Sequence, residues 1–520
     1  MDPVIVVGAG PVGLALALAL ARHGVPSVVL DGGDGEVEQR TARTCVLRPD
    51  TAAYAATLGG ARWAAWRTER RRQPVRRVEL DALTSPVHIQ QYALERGMRA
   101  ALEREPLAEI VTGARLDELE QDERGVSAHT RGAPGSAGAW WRGSYLVGCD
   151  GARSTVRKLL GIRFPGRTSV ERHAVAALRV ELPWDGEALL HRDVPGGESE
   201  VVARPLPNGV WRLDWLLPPR GDLVTPDALL ARIRDTLAAW CEEAPPYELL
   251  DTGVHIAHQR LARHWRSDRA FLAGDAAHLL GALGTQPVDE GLRDAANLAW
   301  KLALCLRGQA SGELLDSYEA ERRGAVGARL RALDQALPLV RGGGGLRTLL
   351  SGASRGHLEL LTDGHLGRGP LGAAPCYGHS PLAPGQDTVP GALTVGTEPG
   401  SPVPDVPVTA LDGTRGRLWE RLGGELLVLL VAPGTHVWDS RHWLSAGLMP
   451  ELAAVLERLP VPAELLVAEG YPGAIAHTAL VIRPDGHLVT ALPGARTGEL
   501  RACVEAVRGA LAGDADAADP

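Results

Sequence analysis

Chemistry-bearing residues stand at the very start of the chain. Gly8-Ala9-Gly10-Pro11-Val12-Gly13 follows the apolar run Val4–Val7 and opens an Ala/Leu-rich stretch, Pro11–Arg22. Glycines at this spacing, between a strand and a helix, permit a tight turn and a close backbone approach to a pyrophosphate. The helix N-terminus there offers free amides to phosphate oxygens. Asp31 follows a second apolar run, Ser27–Leu30, and lies 18 residues past Gly13. A carboxylate at that point suits the two hydroxyls of an adenosine ribose. Gly8, Gly10, Gly13 and Asp31 are therefore expected to grip a dinucleotide. The turn alone does not choose between a flavin and a nicotinamide, and no second such turn follows a strand elsewhere.

Other chemistries find little support. The six cysteines, at 45, 149, 241, 305, 376 and 503, form no CxxC pair and no ligand-like spacing, so neither a metal site nor a dithiol centre is expected. Only Lys158 and Lys301 among the 55 basic residues are lysines, which leaves few groups for amine chemistry.

The elements that must position these residues read strand, turn, helix, strand at the N-terminus, a βαβ unit. Residues 94–102 read as a helix, and residues 145–147 as a strand running into a loop at Asp150. Between 165 and 265 the pattern changes to strands at 175–182, 198–202 and 210–217, a separate antiparallel sheet. From Arg269 a strand, a glycine-rich loop and a long helix to about Leu306 return to the first domain. Four glycines from Gly342 to Gly345 mark a loop. The tail shows strands at 426–432 and 464–468, a hairpin at Arg483-Pro484-Asp485-Gly486 and a helix at 497–511. The expected domains are 1–164 and 266–394 for the dinucleotide, 165–265 for a substrate, and 395–520 as a small α/β unit.

A chain of 520 residues exceeds one core, and 45% hydrophobic with 23% charged residues places it among globular proteins. A net charge of −8 gives no footprint for nucleic acid. The basic stretch 67–77 is expected to be a solvated surface loop. No signal peptide is expected at the N-terminus, where Met1-Asp2-Pro3 runs straight into an apolar strand, and the apolar residues 14–20 are too few to span a bilayer. A cytoplasmic monomer or homodimer, away from membranes, is the simple expectation.

Two further segments extend the N-terminal turn into a resemblance. Val147-Gly148-Cys149-Asp150-Gly151-Ala152-Arg153-Ser154-Thr155-Val156-Arg157 and Phe271-Leu272-Ala273-Gly274-Asp275-Ala276-Ala277-His278 resemble signatures of the class A flavoprotein aromatic hydroxylases, the para-hydroxybenzoate hydroxylase-like family. The resemblance implies an α/β fold: a Rossmann-like FAD-binding domain, an inserted antiparallel-sheet substrate domain and a C-terminal thioredoxin-like domain without redox cysteines. It assigns Asp275 to the ribityl chain of FAD and Asp150 with Arg153 to FAD and nicotinamide binding, and it sets Gln91 and Arg43 near the flavin. NADPH or NADH would dock transiently, reduce FAD and leave. O2 would then add at flavin C4a, and the hydroperoxide would pass its distal oxygen to a small aromatic substrate of phenolic or polyketide type.

The match breaks in one loop, Gly281-Ala282-Leu283-Gly284-Thr285-Gln286-Pro287-Val288-Asp289-Glu290-Gly291. Relatives carry glycines there whose amides face the flavin. Pro287 removes a donor, and Asp289 is expected to bring a negative charge toward the ring, with the Val288 and Asp289 amides left to hold it. A plain ligand-binding protein with an altered loop is therefore an alternative, as is Baeyer-Villiger oxygenation on the same scaffold. A halogenase fits poorly, because both lysines sit on cofactor-motif helices. His278 reads first as a structural histidine at the start of a loop, with a catalytic base as the second reading. Val202, Trp211, Trp215 and Leu283 are the candidate substrate contacts, the tryptophans sharing one strand face. Richness in Arg, Ala, Gly and Pro suggests a GC-rich bacterial gene and natural-product tailoring.

Overall fold

The computed structural model describes residues 1–54, 60–71, 73–132, 138–195, 197–218, 224–281, 287–341, 353–385, 389–434 and 449–509. Gly342 to Gly345 and Leu283 lie outside the described residues.

Val4–Val7 forms the inside of a six-stranded sheet in the order Arg266–Ser267, Ala270–Leu272, Tyr145–Gly148, Val4–Val7, Ser27–Leu30, Ala108–Val111. All but the first of these strands run parallel. All four residues of Val4–Val7 are buried, which is why the sequence shows a continuous apolar run rather than alternation. Val7 stands opposite both Leu30 and Gly148, and Gly148 opposite Leu272, so these strands end at one level. The helix Pro11–Arg22 leaves the first strand through the glycine turn and packs against Gln91–Leu102 and Pro287–Leu306. At Gly13 a Cβ would sit 2.0 Å from the Gly8 carbonyl oxygen, so only glycine permits this helix to approach its strand.

The second large sheet has eight strands: His278–Leu280, Glu248–Leu261, Gly166–Arg179, Val210–Leu217, Glu200–Pro205, Glu187–Arg192, Ala65–Arg70, Gln73–Glu79. It thus takes in strands from well outside 165–265. The basic stretch 67–77, expected as a solvated loop, lies in its described parts on the two edge strands Ala65–Arg70 and Gln73–Glu79. There Arg67 Nε and Arg77 NH2 donate to Glu187 at 3.0 and 2.8 Å, and the partner carboxylate lies 110 residues or more away in sequence. The helix Pro226–Cys241, capped by the Thr225 hydroxyl and opened by Pro226, covers the outer face of this sheet.

The C-terminal sheet runs Arg415–Arg417, Pro407–Ala410, Ala463–Ala468, Leu426–Val431, Thr478–Ile482, Leu488–Pro493, with one parallel pair at its centre. Cys503, its one cysteine, is fully buried, and burial pushes the thiol up to about 12. All six cysteines are unpaired. The unit is fastened to the first domain by buried charge: Arg483 NH2 donates to Glu321 Oε2 at 2.9 Å, and Lys301 Nζ reaches the same oxygen at 2.7 Å. Among the described residues no helix is long and apolar enough to cross a membrane.

His23 ends the first helix, buried, with its carbonyl accepting from Arg307. Burial, then the Arg307 and Arg22 charges, lower its imidazole to about 4. The unfolded chain titrates this group near the ordinary value of 6.5, so between pH 6.5 and 4 it binds a proton that the folded chain refuses. Stability from this residue therefore falls as pH drops through that window. Urea denaturation of His23→Gln is expected to lose less stability than the parent across it; equal slopes would reject the account.

Candidate cofactor and substrate cavity

Each of the parallel strands delivers a polar or glycine residue just beyond its C-terminal end. Val4–Val7 leads to Gly8, Ser27–Leu30 to Asp31, Tyr145–Gly148 to Asp150, and Ala270–Leu272 to Asp275 on the 3-10 turn Gly274–Ala276. The chain crosses from the first strand to Ser27–Leu30 on one side and returns to Tyr145–Gly148 on the other. Gly8 therefore sits where the strand order reverses, the crevice in which open α/β sheets bind ligands.

These residues line one cavity of about 1130 Å³, which continues beneath the eight-stranded sheet. Gly10 opens onto it: a Cβ there would meet nothing within 4 Å, and the helix that follows has neither a side-chain cap nor an acidic residue in its first turn. Arg99 NH2 holds the Asp31 carboxylate at 3.2 Å and the Ala9 carbonyl at 3.3 Å. Asp150 Oδ2 accepts from the Thr155 and Val156 amides at 2.6 and 3.0 Å, while its buried Oδ1 has no partner among the described residues. Asp275 is exposed toward the cavity, and the protein packed around it raises its carboxyl above the usual range despite the His278 and Arg43 charges. Its turn is fixed from behind by Asp294, whose Oδ2 accepts from the Gly274 amide at 2.9 Å. Arg43 and Gln91 are joined through the Gln91 amide and the Arg43 carbonyl at 2.9 Å, and both line the cavity with Val288.

Several expected site residues lie elsewhere. Gly13 serves the helix packing described above. Arg153 is exposed and does not line the cavity. Trp211 and Trp215 share a strand face as expected, but that face is the outer one: both join the core under Pro226–Cys241, and Trp215 Nε1 donates to Thr236 at 2.9 Å. Their neighbours Arg212 and Asp214 line the cavity, together with Val202. His278 is fully buried, donates from Nε2 to Asp294 at 2.8 Å and stacks on Trp265, so it does not reach the cavity as a base.

Comparison with known proteins decides the family. The FAD binding domain family matches residues 1–332. The chain belongs to this family, the class A flavoprotein hydroxylases, and its cofactor is FAD. It is 32% identical over 435 residues to the 12-dehydrotetracycline 5-monooxygenase/anhydrotetracycline 6-monooxygenase of Streptomyces rimosus, a match covering 76% of this chain and 75% of that protein. It is 30% identical over 342 residues to the 3-(3-hydroxy-phenyl)propionate/3-hydroxycinnamic acid hydroxylase of Comamonas testosteroni, covering 62% of this chain and 55%, about half, of that relative's length. The flavin-dependent monooxygenase PieE, solved with FAD and substrate, shares the fold across 98% of this chain and 99% of its own, with a TM-score of 0.76 at 21% identity. The chamber suits FAD. The uncapped amides beside Gly10 fit a diphosphate, and the orphaned Asp150 oxygen and the open Asp275 carboxylate are acceptors for its hydroxyl or N–H donors.

The family's flavin loop ends here in a way the sequence did not predict. Pro287 opens the helix Pro287–Leu306, a place where its missing N–H costs nothing. Asp289 does not bring charge to the cavity. Its carboxylate is fully buried and turned away, accepting from the Arg48 amide at 2.8 Å and pairing with Arg48 NH2 at 2.7 Å. Beside it, burial would raise Glu290, but Arg329, Arg48 and Arg322 hold it well below the carboxylate range. Arg48→Met would leave the buried Asp289 and Glu290 short of a cation, and a stability loss of about 3–5 kcal/mol is expected in urea denaturation. A change under 1 kcal/mol (~, on the same scale) would mean that Arg293, Arg322 and Arg329 suffice.

Proposed function

We propose that the chain is an NAD(P)H-consuming monooxygenase that, with FAD in this cavity, places one oxygen atom of O2 on an aromatic substrate of phenolic or polyketide type. The observation that carries the reading is continuity: one chamber runs from Gly8 and Asp31, past Arg43, Gln91, Asp275 and Val288, to the inner face of the eight-stranded sheet. Cofactor and substrate would meet inside it. The names of the matched relatives, which include a tetracycline monooxygenase and a phenylpropionate hydroxylase, support the same class.

On this reading the turn at Gly8 and Gly10 takes the diphosphate, Asp31 the adenosine ribose and Asp275 the sugar-alcohol chain. Arg43, Gln91 and Val288 border the ring, and Asp150 supplies a further acceptor through its unpartnered oxygen. FAD, when bound, supplies the redox chemistry by accepting electrons from the nicotinamide and activating O2. The protein's part is orientation and exclusion of water. Val175, Val202 and Ile256 give the substrate end apolar contact, and Arg40 Nε, bonded to Asp251 at 3.2 and 3.3 Å, ties residues 38–42 to the sheet at the cavity wall.

Purified protein is expected to be yellow, to oxidise NADPH faster when a phenolic or polyketide substrate is present, and to give a product heavier by one oxygen. Asp275→Ala removes a charged hydrogen bond of about 1.5–3 kcal/mol, so FAD affinity should fall roughly ten- to a hundredfold with the fold intact by circular dichroism. A variant that retains its full complement of FAD would sink the assignment of Asp275.

A further inference from the structure

The helix Pro287–Leu306 is buried along most of its length, yet one line of its residues is polar. Glu290, Asp294, Asn297 and Lys301 recur at spacings of four, three and four, so they form a single stripe of roughly 16 Å down the helix. All four are at most 2% exposed. Buried charges add little stability even when paired, so the stripe calls for another reason.

Its partners come from the short segment Glu319–Arg323, which is wound as a π turn. Hydrogen bonds there span one residue more than in an α-helix, and turns of this kind gather at functional sites. Two consecutive residues of it meet the two ends of the stripe. Arg322 donates from Nε to Asp294 Oδ1 and from NH2 to Glu290 Oε2, both at 2.8 Å. Glu321 Oε2 accepts from Asn297 Nδ2 at 2.8 Å and from Lys301 Nζ at 2.7 Å.

The Arg322 end belongs to the cofactor chamber. Asp294 Oδ2 accepts from the Gly274 amide and so fixes the turn that carries Asp275 into the cavity. Glu290 pairs with Arg48, whose amide meets Asp289 beside the cavity-lining Val288. The Glu321 end belongs to the C-terminal unit. Arg483, in the hairpin between Thr478–Ile482 and Leu488–Pro493, donates from NH1 and NH2 to the two Glu321 oxygens at 2.5 and 2.9 Å. Asp485 of the same hairpin accepts from Arg483 Nε at 3.0 Å and from Asn297 Nδ2 at 2.9 Å. The guanidinium lies over the rings of Trp300 and Tyr377, and the Tyr377 hydroxyl accepts from Arg322 NH1 at 3.2 Å. Among the described residues none after His365 lines the cavity, so the hairpin acts on a ligand there only through other residues.

We propose that Arg483 is a positioning residue for FAD: the C-terminal hairpin, through Glu321, Arg322 and Asp294, sets the turn that presents Asp275. The inference rests on the reading that FAD lies against Asp275. Without the guanidinium Glu321 keeps Lys301 but Asp485 loses its arginine, and the surplus negative charge pushes the hairpin from the π turn. Arg322 and Asp294 then lose their fixed place. The coupling is reciprocal, so FAD held by Asp275 tightens the hairpin in turn.

Apoprotein is titrated with FAD, with binding read from flavin fluorescence. Arg483→Met is expected to bind FAD about tenfold more weakly than the parent. Leu466→Ala, which opens a cavity in the C-terminal sheet away from the hairpin, is expected to lower the melting temperature and leave FAD affinity unchanged. Arg483→Met combined with Asp275→Ala should lose less affinity than the two single losses together. Hydrogen exchange on the parent decides the matter even if Arg483→Met does not fold. FAD is expected to slow exchange in the hairpin 482–488 more than in Pro407–Ala410, on the far side of the same sheet. Unchanged affinity in Arg483→Met, additive losses, equal weakening by Leu466→Ala, or equal protection of both segments overturns the proposal. An Asp275→Ala protein that keeps its FAD while Arg483→Met loses it would instead fail the reading of Asp275 and leave the hairpin's hold on the cofactor standing.

Discussion

Parallel strands paired in register must all finish on the same edge of their sheet, and in this molecule that edge is where the cofactor chemistry collects. Four apolar runs, spread along the chain from Val4 to Leu272, stop level with one another because Leu30, Val7, Gly148 and Leu272 are successive ladder partners. A glycine or an aspartate one to three residues further on then has nowhere to go except the crevice. Slip one strand by a residue and each of its side chains would enter the opposite layer, against neighbours it does not fit, so close packing on both faces holds the alignment that the site needs. The site is a by-product of how the core closes.

Charge balance is the second constraint, and it explains how the flavin loop tolerates its unusual residues. Pro287 is harmless because it is the first residue of a helix, and Asp289 is harmless because Arg48 and Arg293 meet it away from the cavity. A carboxylate that looked, in the sequence, like a charge aimed at the ring is a structural anchor. It ties the helix to the strand Thr44–Leu47, which carries Thr44 and Cys45 into the chamber.

What could be read from the sequence was whatever depends on neighbours along the chain. The glycine turn, the continuous apolar strands and the helix Pro11–Arg22 are local patterns, and the structure has them where they were expected. Asp31 follows from those patterns because a strand end fixes the residue after it, whereas Asp150 and Asp275 were named through the resemblance of their segments to the flavoprotein signatures. The failures share one cause, dependence on distant partners. Alternation put Trp211 and Trp215 on a common face but could not say which face met the core, since the deciding helix Pro226–Cys241 had not been recognised. His278, read first as a structural histidine and only second as a base, is enclosed by Asp294 and Trp265. Asp289 could not be judged without Arg48, 241 residues earlier.

One connection in the fold is unusually short. Asp275 belongs to the turn on the dinucleotide side, and the strand His278–Leu280, only Ala276 and Ala277 later, is already part of the eight-stranded sheet, with His278 paired to Leu261. Floor and ceiling of the chamber are therefore joined through two buried residues, flanked by Gly274 and His278, both of which bond Asp294. Any tilt of the ceiling that admits a bulkier guest must pull on the acid beneath it.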